Sequence, residues 1–130
     1  MSKLSLSVIK REKILKMNII LLIEDDDEIR DFLKILIASS EFEIVTARNE
    51  IIAWNTLNSR KIDLVVTSEE PLSFLINQKF ADIPIIMTSS FGSNEADLHG
   101  FIHSFLPKPF RPDELKMRIE NILCEIKKRN

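Results

Sequence analysis

The chain has 130 residues, 45% of them hydrophobic, and a formal net charge of −2, which suits one compact domain and argues against general disorder. Its single cysteine, Cys124, excludes a disulfide framework within the chain and points to a reducing compartment, the cytoplasm. With only Gly92 and Gly100 as glycines, neither a P-loop nor a dinucleotide fingerprint can be written, and the longest apolar run, Ile19–Ile23, falls far short of a membrane span or secretory signal.

Charge is uneven along the chain. Residues 1–16 carry Lys3, Lys10, Arg11, Lys13 and Lys16 against Glu12, a net +4 that leaves −6 for the rest. We read 1–16 as a basic N-terminal extension and 17–130 as the domain. A basic leader can touch nucleic acid or anionic lipid. The plainer reading is a solvated appendage, and the body has no basic stripe with interleaved aromatics to bind nucleic acid.

From Met17 the pattern alternates short apolar runs with helical periods. Asn18–Glu24 predicts a strand buried on both faces. Asp27–Ser39 predicts a helix whose inward stripe is Ile29, Phe32, Leu33, Leu36 and Ile37. Asp26, Asp27 and Glu28 at its start suit the helix dipole. Phe42–Ala47 predicts a second strand, and Asn49–Ser59 a helix with Ile52, Ala53 and Leu57 inward.

Ile62–Ser68 follows as a strand rich in β-branched residues. Pro71 opens a short helix to about Phe80. Ile83–Ser89 predicts a fourth strand, with Pro84 at its entry. A weak helix is expected over 94–102, then a short strand His103–Pro107. Pro112–Lys127 has the clearest helical stripe, acidic in front and basic behind. Strands alternating with helices imply a parallel sheet covered on both faces, with right-handed crossovers. Ligand sites in such sheets lie at the carboxyl ends of the strands. Chemistry is therefore expected at Glu24–Asp25, Thr67–Ser68, Thr88–Ser89 and Pro107–Lys108.

LLIEDDDEIRDFLKIL, EIVTARNEIIAWNTL, IPIIMTSS and FLPKPFRPDEL, in this order, resemble segments of bacterial response-regulator receiver domains, over about 17–127. The resemblance implies an α/β fold, a doubly wound, CheY-like (flavodoxin-like) five-stranded parallel sheet of strand order 2-1-3-4-5. It implies a signalling module of two-component phosphorelays rather than an enzyme. Its Mg²⁺-binding acid pair falls on Glu24 and Asp25. Its phosphoryl-contacting lysine falls on Lys108, its cis-proline on Pro109, its switch hydroxyl on Ser89 and its switch aromatic on Phe105. Apart from the resemblance, the acids can simply charge a helix N-terminus, Lys108 can neutralise them, Ser89 can bond backbone, and Phe105 can be a plain core aromatic.

The departure lies at the third strand. The family's phosphoacceptor aspartate falls on Ser68, 43 residues after Asp25, or on Thr67 when counted back from Pro71. Neither is a carboxylate, and an acyl phosphate needs one. A hydroxyl with no base beside it is a weak nucleophile. One fewer acid also weakens any Mg²⁺ site. Glu69 or Glu70 could substitute only through the loop geometry. The loop after the third strand is one residue short, and Ser89 to Phe105 spans only 16 residues, so the third and fourth helices are expected to be shortened.

The leading expectation is a pseudo-receiver that acts through protein contacts without phosphorylation, with no cofactor or at most weak Mg²⁺. The partner would be a histidine kinase, another signalling protein or a second copy of the chain, and neither nucleic acid nor membrane. No output domain is expected after the last helix. One alternative is an Mg²⁺-dependent enzyme, because Asp25-x-Asp27 resembles the nucleophile pair of haloacid-dehalogenase-type phosphatases. Another is a conventional receiver with an atypical acceptor. His99 and His103 stand at helical spacing, but without a third ligand they read as surface histidines.

Overall fold

The structure, a computed structural model, describes residues 17–89 and 102–129. The expectations for the leader 1–16, for the weak helix over 94–102 and for His99 fall wholly or mainly outside them. The elements are β1 (Asn18–Ile23), α1 (Asp27–Ile37), β2 (Phe42–Ala47), α2 (Glu50–Ser59), β3 (Leu64–Thr67), α3 (Glu70–Lys79), β4 (Ile85–Ser89), β5 (Ser104–Pro107) and α4 (Pro112–Arg129). All strand pairs are parallel and the order is β2-β1-β3-β4-β5, as the resemblance implies.

Alternate residues of each strand serve opposite faces. Ile20, Leu22, Leu64, Val66, Ile86 and Leu106 meet α1 and α4. Leu21, Ile23, Val65 and Ile85 meet α2 and α3 through residues such as Ala53, Leu57, Leu72 and Ile76. The central strands are apolar at both parities because both faces are covered. Burying each such aliphatic side chain is worth about 1.5–3 kcal/mol.

Local signals set the helix ends. Asp26 caps α1 by accepting from the Ile29 N–H, and Asn49 caps α2 by accepting from the Ile52 N–H. Pro71 lies in the first turn of α3. Basic side chains of α1 and α4 also tie elements together. Arg30 donates to the Glu24 carbonyl at 3.0 Å, and its other nitrogen pairs with Asp27. Lys116 on α4 donates to the carbonyl of Ala38, just past α1.

Several sequence expectations shift. The α1 stripe is narrower than its periodicity suggests, since only Leu33 and Ile37 are buried. Ile29, Phe32 and Leu36 are exposed, at 46%, 58% and 43%. The sheet and α4 occupy only one seam of the helix. Strand β3 starts at Leu64 instead of Ile62, because the Asp63 carboxylate takes the Ile19 N–H at 2.7 Å where a ladder bond would otherwise run. Helix α3 is as long as α2, ten residues each. Only Ser68 and Glu69 separate β3 from α3, in keeping with the short loop expected there.

Candidate functional site

The carboxyl ends of β1, β3, β4 and β5 lie side by side, so the residues just past them form one rim. Glu24 follows β1 directly. Its backbone N–H donates to the Ala47 carbonyl at 3.0 Å, which fixes the residue against β2. Its side chain is only 11% exposed. One oxygen accepts from the Asp26 N–H at 3.0 Å, and the other lies 4.0 Å from Lys108 Nζ. Burial pushes the Glu24 carboxyl above its ordinary range, and adjacent Asp25 adds to this. The Asp26 N–H and Lys108 pull the other way without cancelling it.

Lys108 follows β5 and is joined to Pro109 by a cis peptide bond. Asp25 is exposed beside Glu24. Asp27, by contrast, sits in the first turn of α1 and is engaged by Arg30. The rim thus brings Glu24, Asp25 and Lys108 together and leaves Asp27 aside.

Strand β3 brings no acid to this rim. Thr67 is buried, and its hydroxyl oxygen accepts from the Glu69 N–H at 3.2 Å. Ser68 is exposed, and so is Glu69. Ser89 ends β4, opposite Pro107 in the register. Phe105 is half-buried in β5 opposite Met87, outside both core clusters, and its carbonyl accepts from Arg118 at 2.7 Å. His103 is exposed, with its ring 3.4 Å from a Glu125 oxygen. Trp54 packs edge-to-face on Phe80, centroids 5.8 Å apart, under Lys79.

Among the described residues no three histidine, cysteine or acidic side chains converge as a metal cage. The two rim acids, one of them facing an ammonium, are a thin donor set for Mg²⁺, which takes one or two carboxylates and keeps several waters. Sequence reasoning placed Thr88 only in a general strand-end pair. In the structure Thr88 is 5% exposed and lines a cavity together with Glu24, Lys108 and apolar side chains of α1 and α4. Alternation along β4 held that signal, since Thr88 shares the parity of Ile86, whose face meets α1 and α4.

No family model matches the chain. A response regulator, TrrA from Thermotoga maritima, solved with Mg²⁺ and BeF, is 27% identical. That match covers 81% of this chain and 98% of that one, with a TM-score of 0.71. The signal receiver domain of a putative Luxo repressor from Vibrio parahaemolyticus superposes with a TM-score of 0.76 at 21% identity, covering 85% and 93% of the two chains. The described residues form a CheY-like response-regulator receiver domain.

Curated relatives of this receiver domain carry matching names. Two-component response regulator-like PRR73 from rice (Oryza sativa) is 34% identical over 111 residues, 75% of this chain and 14% of that protein. Transcriptional regulatory protein SrrA from Staphylococcus aureus is 28% identical over 115 residues, 82% of this chain and 48% of that protein. The receiver domain therefore spans from 14% to about half of the curated relatives it matches. Among the described residues no helix is long and apolar enough to cross a membrane.

Proposed function

We propose that this receiver domain is a pseudo-receiver that signals by protein–protein contact without forming an aspartyl phosphate. One observation carries the reading. Beside the Glu24–Lys108 pair, β3 ends in a buried Thr67 whose hydroxyl already holds the Glu69 N–H, followed by an exposed Ser68. An acyl phosphate needs a carboxylate at that strand end. A serine or threonine hydroxyl without a general base is a poor substitute.

On this reading Glu24 and Asp25 are a vestigial Mg²⁺ pair that binds the ion weakly. Ser89, Phe105 and Lys108 are remnants of a phosphoryl-linked switch. The domain is not an enzyme, and its setting is the bacterial cytoplasm. Its partner is a histidine kinase, another signalling protein or a second copy, and neither nucleic acid nor membrane. Residues 1–16 are an appendage to the domain 17–130. The phosphatase alternative loses support because Asp27 is turned toward Arg30 in a helical turn.

Incubation with acetyl phosphate and Mg²⁺, followed by intact mass measurement, tests the proposal. An unchanged mass is expected. The addition of one phosphoryl group overturns it. A generic phosphoester supplied with Mg²⁺ is expected to show no turnover.

A further inference from the structure

Next to the Glu24–Lys108 pair lies a half-open cavity of about 500 Å³. Helix α1 supplies Ile29, Phe32 and Leu33 to its wall, the segment after the cis bond supplies Phe110, and α4 supplies Leu115. The sheet contributes Thr88. The residue is only 5% exposed, and among the described residues its hydroxyl has no hydrogen-bond partner. A buried hydroxyl is ordinarily paired, so one facing an apolar cavity is an open valence within a binding-sized space. Pockets for small molecules span about 300–1,000 Å³ and combine apolar walls with a few fixed polar groups.

We propose that this cavity binds a small, uncharged, mainly apolar molecule with one hydroxyl group, which pairs with Thr88 Oγ1. The polar groups of the cavity select that class. A threonine hydroxyl both donates and accepts, so it matches another hydroxyl in either sense. Lys108 and Glu24 already face each other at 4.0 Å. A charged ligand would have to compete with that pair. An anion would also meet Glu24, and a cation would meet Lys108, both in the cavity wall. The site needs no phosphate and no metal, so it stands whether or not the domain is phosphorylated.

The test is a methyl and amide NMR titration of the full chain with three probes of similar shape: 2-naphthol, naphthalene and 2-naphthoate. Saturable shifts are expected at the methyl groups of Ile29, Leu33, Leu115 and Thr88. 2-Naphthol is expected to bind about tenfold more tightly than naphthalene, the size of one well-made hydrogen bond to a buried group. 2-Naphthoate is expected to bind more weakly than 2-naphthol.

Thr88→Val keeps the side-chain shape and removes the hydroxyl. It is expected to abolish the preference for 2-naphthol while still binding naphthalene. Thr88→Ser keeps the hydroxyl and should retain the preference. The proposal is overturned by shifts confined to other surfaces, such as the α1 stripe beyond Phe32 where a partner protein would sit. It is also overturned by equal affinity of the wild-type protein for 2-naphthol and naphthalene, or by a preference that survives Thr88→Val. The wild-type comparison decides even where a variant folds poorly.

Discussion

Asp63 and Ile19 exchange two hydrogen bonds across the start of the sheet: the Ile19 N–H donates to Asp63 Oδ2 at 2.7 Å, and the Asp63 N–H donates to the Ile19 carbonyl at 2.8 Å. The side chain thus continues, for one more step, the ladder that joins β1 to β3. Hydrogen bonds to ionised groups contribute about 1.5–3 kcal/mol. Asp63→Ala is therefore expected to lower stability by about that amount, and Asp63→Asn by less, because an amide oxygen can still accept. Urea denaturation measures both. Equal losses for the two variants would contradict this role of the side chain.

The raised carboxyl of Glu24 gives a pH dependence of definite sign. The folded state holds the proton to higher pH than the unfolded state does. Between the ordinary carboxylate range and the raised folded value, the folded state binds more protons, so stability falls as pH rises through that window. Below the window the cost is absent, and above it the cost is fully present. Glu24→Gln keeps an oxygen for the Asp26 N–H and removes the buried charge. The variant is expected to outlast the wild-type protein in urea at about pH 7 and to lose that advantage below the ordinary carboxylate range, by about pH 3. An advantage that grows toward acid pH would refute the sign.

Arg118 braces the edge strand. Its guanidinium donates to Ser104 Oγ at 2.8 Å and to the Phe105 carbonyl at 2.7 Å. Arg118→Ala is expected to cost about 1–3 kcal/mol and to speed amide exchange in β5 before the rest of the sheet. Both bonds leave one guanidinium nitrogen, Nη1, so Arg118→Lys, with three donors on a single nitrogen but a shorter reach, should recover part of the loss. Hydrogen exchange at the β5 amides, read beside β1, separates local loosening from global unfolding.

Two neighbouring isoleucines of α1 test how narrow its buried seam is. Ile35 is 75% exposed and Ile37 is fully buried. Ile35→Lys is expected to change stability by no more than about 0.5 kcal/mol, whereas Ile37→Ala is expected to cost about 2–5 kcal/mol. Similar losses at both positions would mean that α1 buries a wider face.

The strand–helix alternation was legible because each strand is an apolar run bounded by polar residues and each helix carries a start signal, such as Asp26 or Asn49. Strand order followed from the resemblance. Periodicity could not say how wide a helix face is covered. Ile29, Phe32 and Leu36 share the spacing of Leu33 and Ile37, yet only the last two meet the sheet and α4. The rim acids and Lys108 were legible from position at strand ends, which parallel sheets gather on one side. Thr88 was not singled out, because its importance lies in what it faces across the cavity, a tertiary fact. The early start expected for β3 failed for a related reason, since nothing local says that the Asp63 side chain will replace a backbone bond.

The hydrogen bond from the Glu69 N–H to Thr67 bears on what it would take to place a working acid at the end of β3. With Thr67 buried and only two residues between β3 and α3, an aspartate placed at position 68 alone is expected to sit exposed at the head of a helix. Identity and loop length would have to change together. A point substitution leaves the backbone path as it is, and an inserted residue without the acid supplies no nucleophile. On the proposed reading, the tight β3–α3 connection would then hold the strand end in its present state against any single substitution.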